Sequence, residues 1–219
     1  MKRQLLSALL VVGISTLAVI ATPAIATPAF ADSPLTLSND VFQTTTVPLL
    51  KHSGPGEWDN YLTLNLPFAP VAHLFAQWLI RQKTAMTNRG EAHITVITPI
   101  EFWHTLRPQG ITIDDIQHIA ESSALQSSQF EIVCLGQGEL KIANRLEKTW
   151  FLVVKSADLL RVRHKIHQLF VAKGGKPEQF SVESYYPHIT LGYTLRDLHE
   201  SDGVIKDSRS CQEPVKLVP

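Results

Sequence analysis

Cysteine is scarce: Cys134 and Cys211 are the only two among 219 residues. They form no Cys-x-x-Cys pair and no metal-finger spacing, which excludes a cysteine-built zinc finger and a thioredoxin-like motif. An excess of charge of either sign is missing too, with 20 basic residues against 20 acidic. Without a strong field, the chain suits a short ligand better than a long polyanion, and no long duplex nucleic acid is expected as a partner. Carboxylates and histidines do not cluster at metal-ligand spacing, so no metal and no other cofactor is expected. Long apolar runs are lacking beyond the N-terminus.

That exception spans Leu5 to about Ala21, after Lys2-Arg3 and before Ala29-Phe30-Ala31-Asp32. A basic start, an apolar stretch and an Ala-x-Ala exit read as a signal peptide over residues 1–31. The competing reading is a retained membrane anchor, since the run nears the lower limit for a spanning helix. Export to the periplasm or beyond follows from either, and after cleavage no membrane contact is expected. About 185 residues then remain, enough for one domain, or for two small lobes around a cleft, in a chain expected to be monomeric. Export would permit a Cys134–Cys211 disulfide. Cys134 sits in an apolar, strand-like run, however, and a buried thiol is the favoured reading.

Residues 32–57 are rich in Ser, Thr and Pro and end in Ser53-Gly54-Pro55-Gly56, which reads as a linker or surface arm. Tyr61 to Leu66 alternates as a strand, and Val71, Leu74, Phe75, Trp78 and Leu79 recur at helical spacing. A strand from Glu91 to Thr98 follows. Thr112 caps a helix with an acidic first turn that should reach about Leu125. Phe130–Leu135 and Glu139–Ile142 flank Gly136-Gln137-Gly138, which predicts a hairpin there. Asn144–Lys148 reads as a polar connection, Trp150–Val154 as a buried strand, and Leu159, Val162, Ile166, Leu169 and Phe170 as a second amphipathic helix. A last strand runs from His188 to Thr194, and residues 199–219 read as a polar tail, on the surface or disordered.

Two of these strands carry one pattern, His93-Ile94-Thr95-Val96 and His188-Ile189-Thr190-Leu191. Side chains alternate along a strand, so histidine and threonine share one face and the aliphatics occupy the other. Chance supplies roughly 0.1 such four-residue patterns in a chain of this composition. The order strand, helix, loop, motif strand also occurs twice, the first strand beginning about 32 residues before His93 and the second about 38 before His188.

Two imidazoles suit in-line displacement at a phosphodiester, where the attacking oxygen loses a proton on one side of phosphorus and the leaving oxygen gains one on the other. An imidazole titrates near neutral pH, so both protonation states are accessible. Thr95 and Thr190 would present hydroxyls to the non-bridging oxygens. His93 and His188 are the candidate catalytic pair, and no metal is required.

With HITV at His93–Val96 and YYPHITLGYT at Tyr185–Thr194, the chain resembles the two-histidine (2H) phosphoesterase superfamily, particularly its Swiss Army Knife, RNA-repair-like branch. The likeness covers roughly Tyr61 to Asp197. It implies a duplicated, two-lobed α+β fold over residues 58–198, with lobes at about 58–125 and 145–198 and antiparallel sheets flanked by helices around a central cleft. It further implies a metal-independent cyclic phosphodiesterase acting on 2',3'-cyclic phosphates of nucleotides or RNA ends, with His93, Thr95, His188 and Thr190 in the catalytic positions. Alternatives are a non-catalytic module that binds nucleotides or RNA ends, and a 2'-5' RNA ligase. RNA repair is an intracellular task, so the exported reading favours degradation fragments or free cyclic nucleotides.

Around the motifs, Tyr186 and Tyr193 flank the second, and Trp58, Phe102 and Trp103 lie near the first. These aromatics could stack a base, although core packing is the commoner role. Arg89 precedes the first motif and could meet phosphate, although loop arginines are mostly solvated. His164 and His167 lack a third ligand and read as surface residues.

Overall fold

A computed structural model describes residues 33–82 and 84–219 of the chain, and the leader read over residues 1–31 lies outside them. The strands are β1 (Thr36–Ser38), β2 (Leu62–Leu66), β3 (Ala92–Ile97), β4 (Glu131–Ile142), β5 (Arg145–Lys155), β6 (His188–Tyr193), β7 (Cys211–Glu213) and β8 (Lys216–Val218). The α-helices are α1 (Phe68–Gln82), α2 (Pro99–Glu101), α3 (Ile113–Ser122) and α4 (Ala157–Ala172). Together they form an α+β fold. β2 and β3 pair antiparallel, β6-β5-β4-β7 make an antiparallel sheet, and β1 runs parallel to β8.

The alternation read in the motifs is realised. Ile94 and Val96 of β3 and Ile189 and Leu191 of β6 are buried, while the histidines and threonines between them are only half-buried. Leu62, Leu64 and Leu66 join them, covered by Val71, Leu74 and Trp78 of α1 and by Leu159, Val162, Ile166 and Phe170 of α4. Burying each such side chain contributes about 1.5–3 kcal/mol, so the helical spacing of apolar residues docks both helices on this core. A smaller cluster, Cys134, Phe151, Val153, Leu198 and Val204, lies apart from it. Phe151 and Val153 pair with Thr190 and His188 of β6 and therefore share their face of the sheet.

Long-range contacts join the two motif strands. The fully buried Arg163 of α4 donates to the Val96 carbonyl at 2.8 Å, to Glu101 at 2.8 Å and to the Ser181 carbonyl at 2.9 Å. Tyr185 donates its hydroxyl to the Thr95 carbonyl at 2.9 Å. Thr87 and Tyr193 exchange backbone hydrogen bonds, both 2.9 Å, which ties the loop before β3 to the end of β6.

Several expectations are corrected. Gly136-Gln137-Gly138 is no turn: β4 runs through it, and the chain reverses at Ala143-Asn144, both at positive φ, at the start of what read as a polar connection over Asn144–Lys148. The glycines answer a packing demand, since a Cβ at 136 would meet the Phe151 ring at 2.6 Å and one at 138 would meet Val204 at 2.2 Å. Thr112 caps α3 as expected, with its hydroxyl accepting from the Asp115 amide, but the helix stops at Ser122. The stretch read as an arm buries Leu35, Leu37 and Val41. The stretch read as a tail supplies β7 and β8, and Lys206 within it is almost fully buried. Cys134 is not a free thiol: it bonds Cys211, linking the paired strands β4 and β7 with a Cα–Cα distance of 5.7 Å.

Candidate active site

His93 and Thr95 from β3 and His188 and Thr190 from β6 line one cavity of about 440 Å3. Arg89, Tyr186 and Trp58 also line it, together with Asp197, His199 and Lys206 from the segment after β6. Tyr193 lies at the Thr87 bridge, Phe102 is buried in the core, and Trp103 lines a separate cavity with the Arg107 guanidinium 4.0 Å from its ring centre. His167 packs on Phe180 and His164 faces Glu183, away from the cleft.

The two histidines have unlike surroundings. His93 Nδ1 lies 3.4 Å from the Glu91 carboxylate, and a hydrogen bond to that imidazole holds the Glu91 carboxyl below its usual range. His188 Nδ1 lies 2.8 Å from the Tyr186 carbonyl oxygen, and its Nε2 lies 3.1 Å from Lys206 Nζ. Burial, with the Lys206 ammonium beside it, pushes the His188 imidazole well below its ordinary value. The edge of His188 packs against Phe151, with ring centres 5.9 Å apart.

Asp197 organises the wall behind His188. Its Oδ1 accepts from Thr149 at 2.7 Å and from Lys206 at 2.8 Å, and its Oδ2 accepts from Thr190 at 2.9 Å and from Arg89 at 3.0 Å. Burial alone would raise this carboxyl, but Lys206 and the nearby histidines outweigh it and hold the group well below the carboxylate range. Burial lowers the Lys206 ammonium in turn, against the opposing pull of Asp197. The Thr190 hydroxyl proton is thus committed to Asp197, whereas the Thr95 hydroxyl has no protein partner among the described residues. Thr63 and Asn65, the β2 partners of Thr95 and His93, are buried and hydrogen-bonded to one another at 3.0 Å, which steadies β3 from its neighbour.

Sequence reading missed Asp197, Lys206, Thr149 and Glu91 as members of this site. Glu91 shares a strand face with His93, two residues on, and that spacing was a usable signal. Lys206 had none, being a lone lysine in a polar stretch. Among the described residues no group of three His, Cys, Asp or Glu side chains gathers at metal-binding spacing.

What the site offers chemically is two imidazoles in one cleft, with a guanidinium, an ammonium and a free hydroxyl for an anionic centre. A search of curated proteins and one of solved structures each return no match. The profile of the Swiss Army Knife, 2H phosphoesterase domain matches residues 60–199, which include both His-x-Thr strands and Asp197. The chain belongs to this family of 2H phosphoesterases.

Proposed function

We propose that this protein hydrolyses 2',3'-cyclic phosphates of nucleotides or RNA ends to monoesters, with His93 and His188 as the acid-base pair. The observation that carries the reading is the convergence of both His-x-Thr faces on one cavity that also receives Arg89 and Lys206. A water oxygen bonds to phosphorus as one ring P–O bond breaks; one imidazole takes the water proton, and the other, as imidazolium, protonates the departing ribose oxygen. Thr95, Arg89 and Lys206 can donate to the non-bridging oxygens. A cavity of about 440 Å3 is the size of small-ligand sites and fits a nucleotide or an RNA terminus better than a long strand. Tyr186 and the exposed Trp58 at its walls offer surfaces for a base.

Two further parts of the reading have separate support. The strand–helix–antiparallel strand units β2–α1–β3 and β5–α4–β6 each end in a His-x-Thr strand, which supports a two-lobed duplication. The Cys134–Cys211 bond supports export, since disulfides persist in oxidising compartments.

The test is turnover of 2',3'-cyclic nucleotides in the presence of chelator. Conversion to monoester is expected, with a bell-shaped pH profile and at least about a hundredfold loss on His93→Ala or His188→Ala. Activity surviving the double variant would falsify the assignment, and tight binding with no product on long incubation would make the protein a binding module.

A further inference from the structure

The surroundings of His93 and His188 differ in a way that gives the pair a direction. His188 Nδ1 faces the Tyr186 carbonyl oxygen at 2.8 Å, and a carbonyl can only accept, so Nδ1 carries the hydrogen. Its Nε2 faces Lys206 Nζ at 3.1 Å, and an ammonium can only donate, so Nε2 presents its lone pair. Lys206 is fixed in turn by Asp197 at 2.8 Å, lies 5.2 Å from the centre of the Phe151 ring, and exposes only 2% of its side chain. Placing a proton on Nε2 would set an imidazolium N–H against this ammonium. His93 has the opposite neighbour, the Glu91 carboxylate 3.4 Å from Nδ1, so a doubly protonated ring there faces a negative charge and its Nε2–H is the proton a leaving oxygen needs.

We infer that Lys206, besides meeting the phosphate, holds His188 as the neutral base before substrate enters, leaving His93 as the acid. The inference deepens the proposed function and rests on it for the identity of the reaction. A non-bridging phosphate oxygen entering the cleft is a stronger acceptor for Lys206 than an imidazole. It draws Nζ toward phosphate while Asp197 keeps its hold, and Nε2 is released to accept the water proton. On P–O cleavage the His93 proton passes to the ribose oxygen; the cycle ends with His188 protonated and His93 neutral, and solvent exchange restores both. The charged and titratable groups around His188 are Lys206, Asp197 and His199 from the segment after β6, with Arg89 behind Asp197 from the loop before β3.

The test is imidazole 15N NMR of the whole protein across pH, alongside the pH profile of kcat/KM. In the unaltered protein His188 is expected as the Nδ1–H tautomer, staying neutral below the pH where an ordinary imidazole titrates. In Lys206→Met its titration should climb back toward the ordinary range. The acid limb of kcat/KM should move up with it, and turnover should fall at least about tenfold. An Nε2–H tautomer or ordinary titration of His188 in the unaltered protein overturns the inference, even if Lys206→Met fails to fold. So does a folded Lys206→Met protein whose His188 titrates as before. A protein that turns over no cyclic phosphate, yet shows the Nδ1–H tautomer and the Lys206-dependent shift, refutes the reaction but not the role of Lys206 toward His188.

Discussion

Asp197 accepts from Thr149, Lys206, Thr190 and Arg89, which fills the roughly four lone-pair sites a carboxylate has. The two motif threonines are therefore not equivalent. Thr95 keeps a hydroxyl proton with no protein acceptor among the described residues, and Thr190 gives its proton to a buried anion. Thr95→Val is expected to weaken inorganic phosphate binding about tenfold, the worth of one hydrogen bond to a charged group, while leaving stability within about 0.5 kcal/mol. Thr190→Val should do the reverse, costing about 1–3 kcal/mol because a buried carboxylate loses a donor, with little change in phosphate affinity. Calorimetric titration with phosphate and urea denaturation of each variant check this; equal losses of affinity in the two would refute the distinction. The His-x-Thr residues were legible because four adjacent positions with a period of two place them on one face. Asp197 and Lys206 were not, because a buried ion pair is defined by partners that neighbouring residues do not reveal.

Among the elements, β4 and its neighbours show how local signals mislead. Gly-Gln-Gly looked like a turn, yet its glycines make room for Phe151 and Val204, and the turn falls on Ala143-Asn144. Ala143 holds φ at +46°, a conformation that strains an L side chain. Ala143→Gly is accordingly expected to stabilise the protein by about 0.5–1 kcal/mol in urea denaturation, and a loss of stability would refute this account of the turn. β7 is a three-residue edge strand, too short to hold itself on β4 by hydrogen bonds alone. The disulfide secures it across a sequence separation of 77 residues. Reduction, or Cys134→Ser with Cys211→Ser, should lower stability by about 4.5 kcal/mol on a chain-entropy account. An unchanged melting temperature under reductant would remove the staple from the explanation.

The whole molecule should lose stability as pH falls. His188, His199 and His52 are all held below the ordinary imidazole value of 6.5, chiefly by burial, so the native state leaves neutral what the unfolded chain protonates. Protons then favour the unfolded state, and stability declines as pH drops below about 6.5, by at most about 1.4 kcal/mol per pH unit for a histidine that stays unprotonated. The depressed carboxyls of Asp197 and Glu91 act in the same direction at lower pH: their contribution is present above the ordinary carboxyl range and lost as they are protonated in acid. Melting temperatures measured from pH 7 down to pH 5 should fall, and a flat profile would contradict the neutral state assigned to His188. At this scale the division between sequence and structure is also plain. The sequence by itself determined the motif strands, the face each presents, the amphipathic helices and the Thr112 cap, because all of these depend on residues within a few positions of one another. Only the tertiary structure decided that β7 and β8 arise from the apparent tail, that Cys134 meets Cys211, and that Lys206, Asp197 and Arg89 close around His188. Those contacts join segments far apart in the chain, and their energy comes from burial and charge pairing that no local pattern encodes.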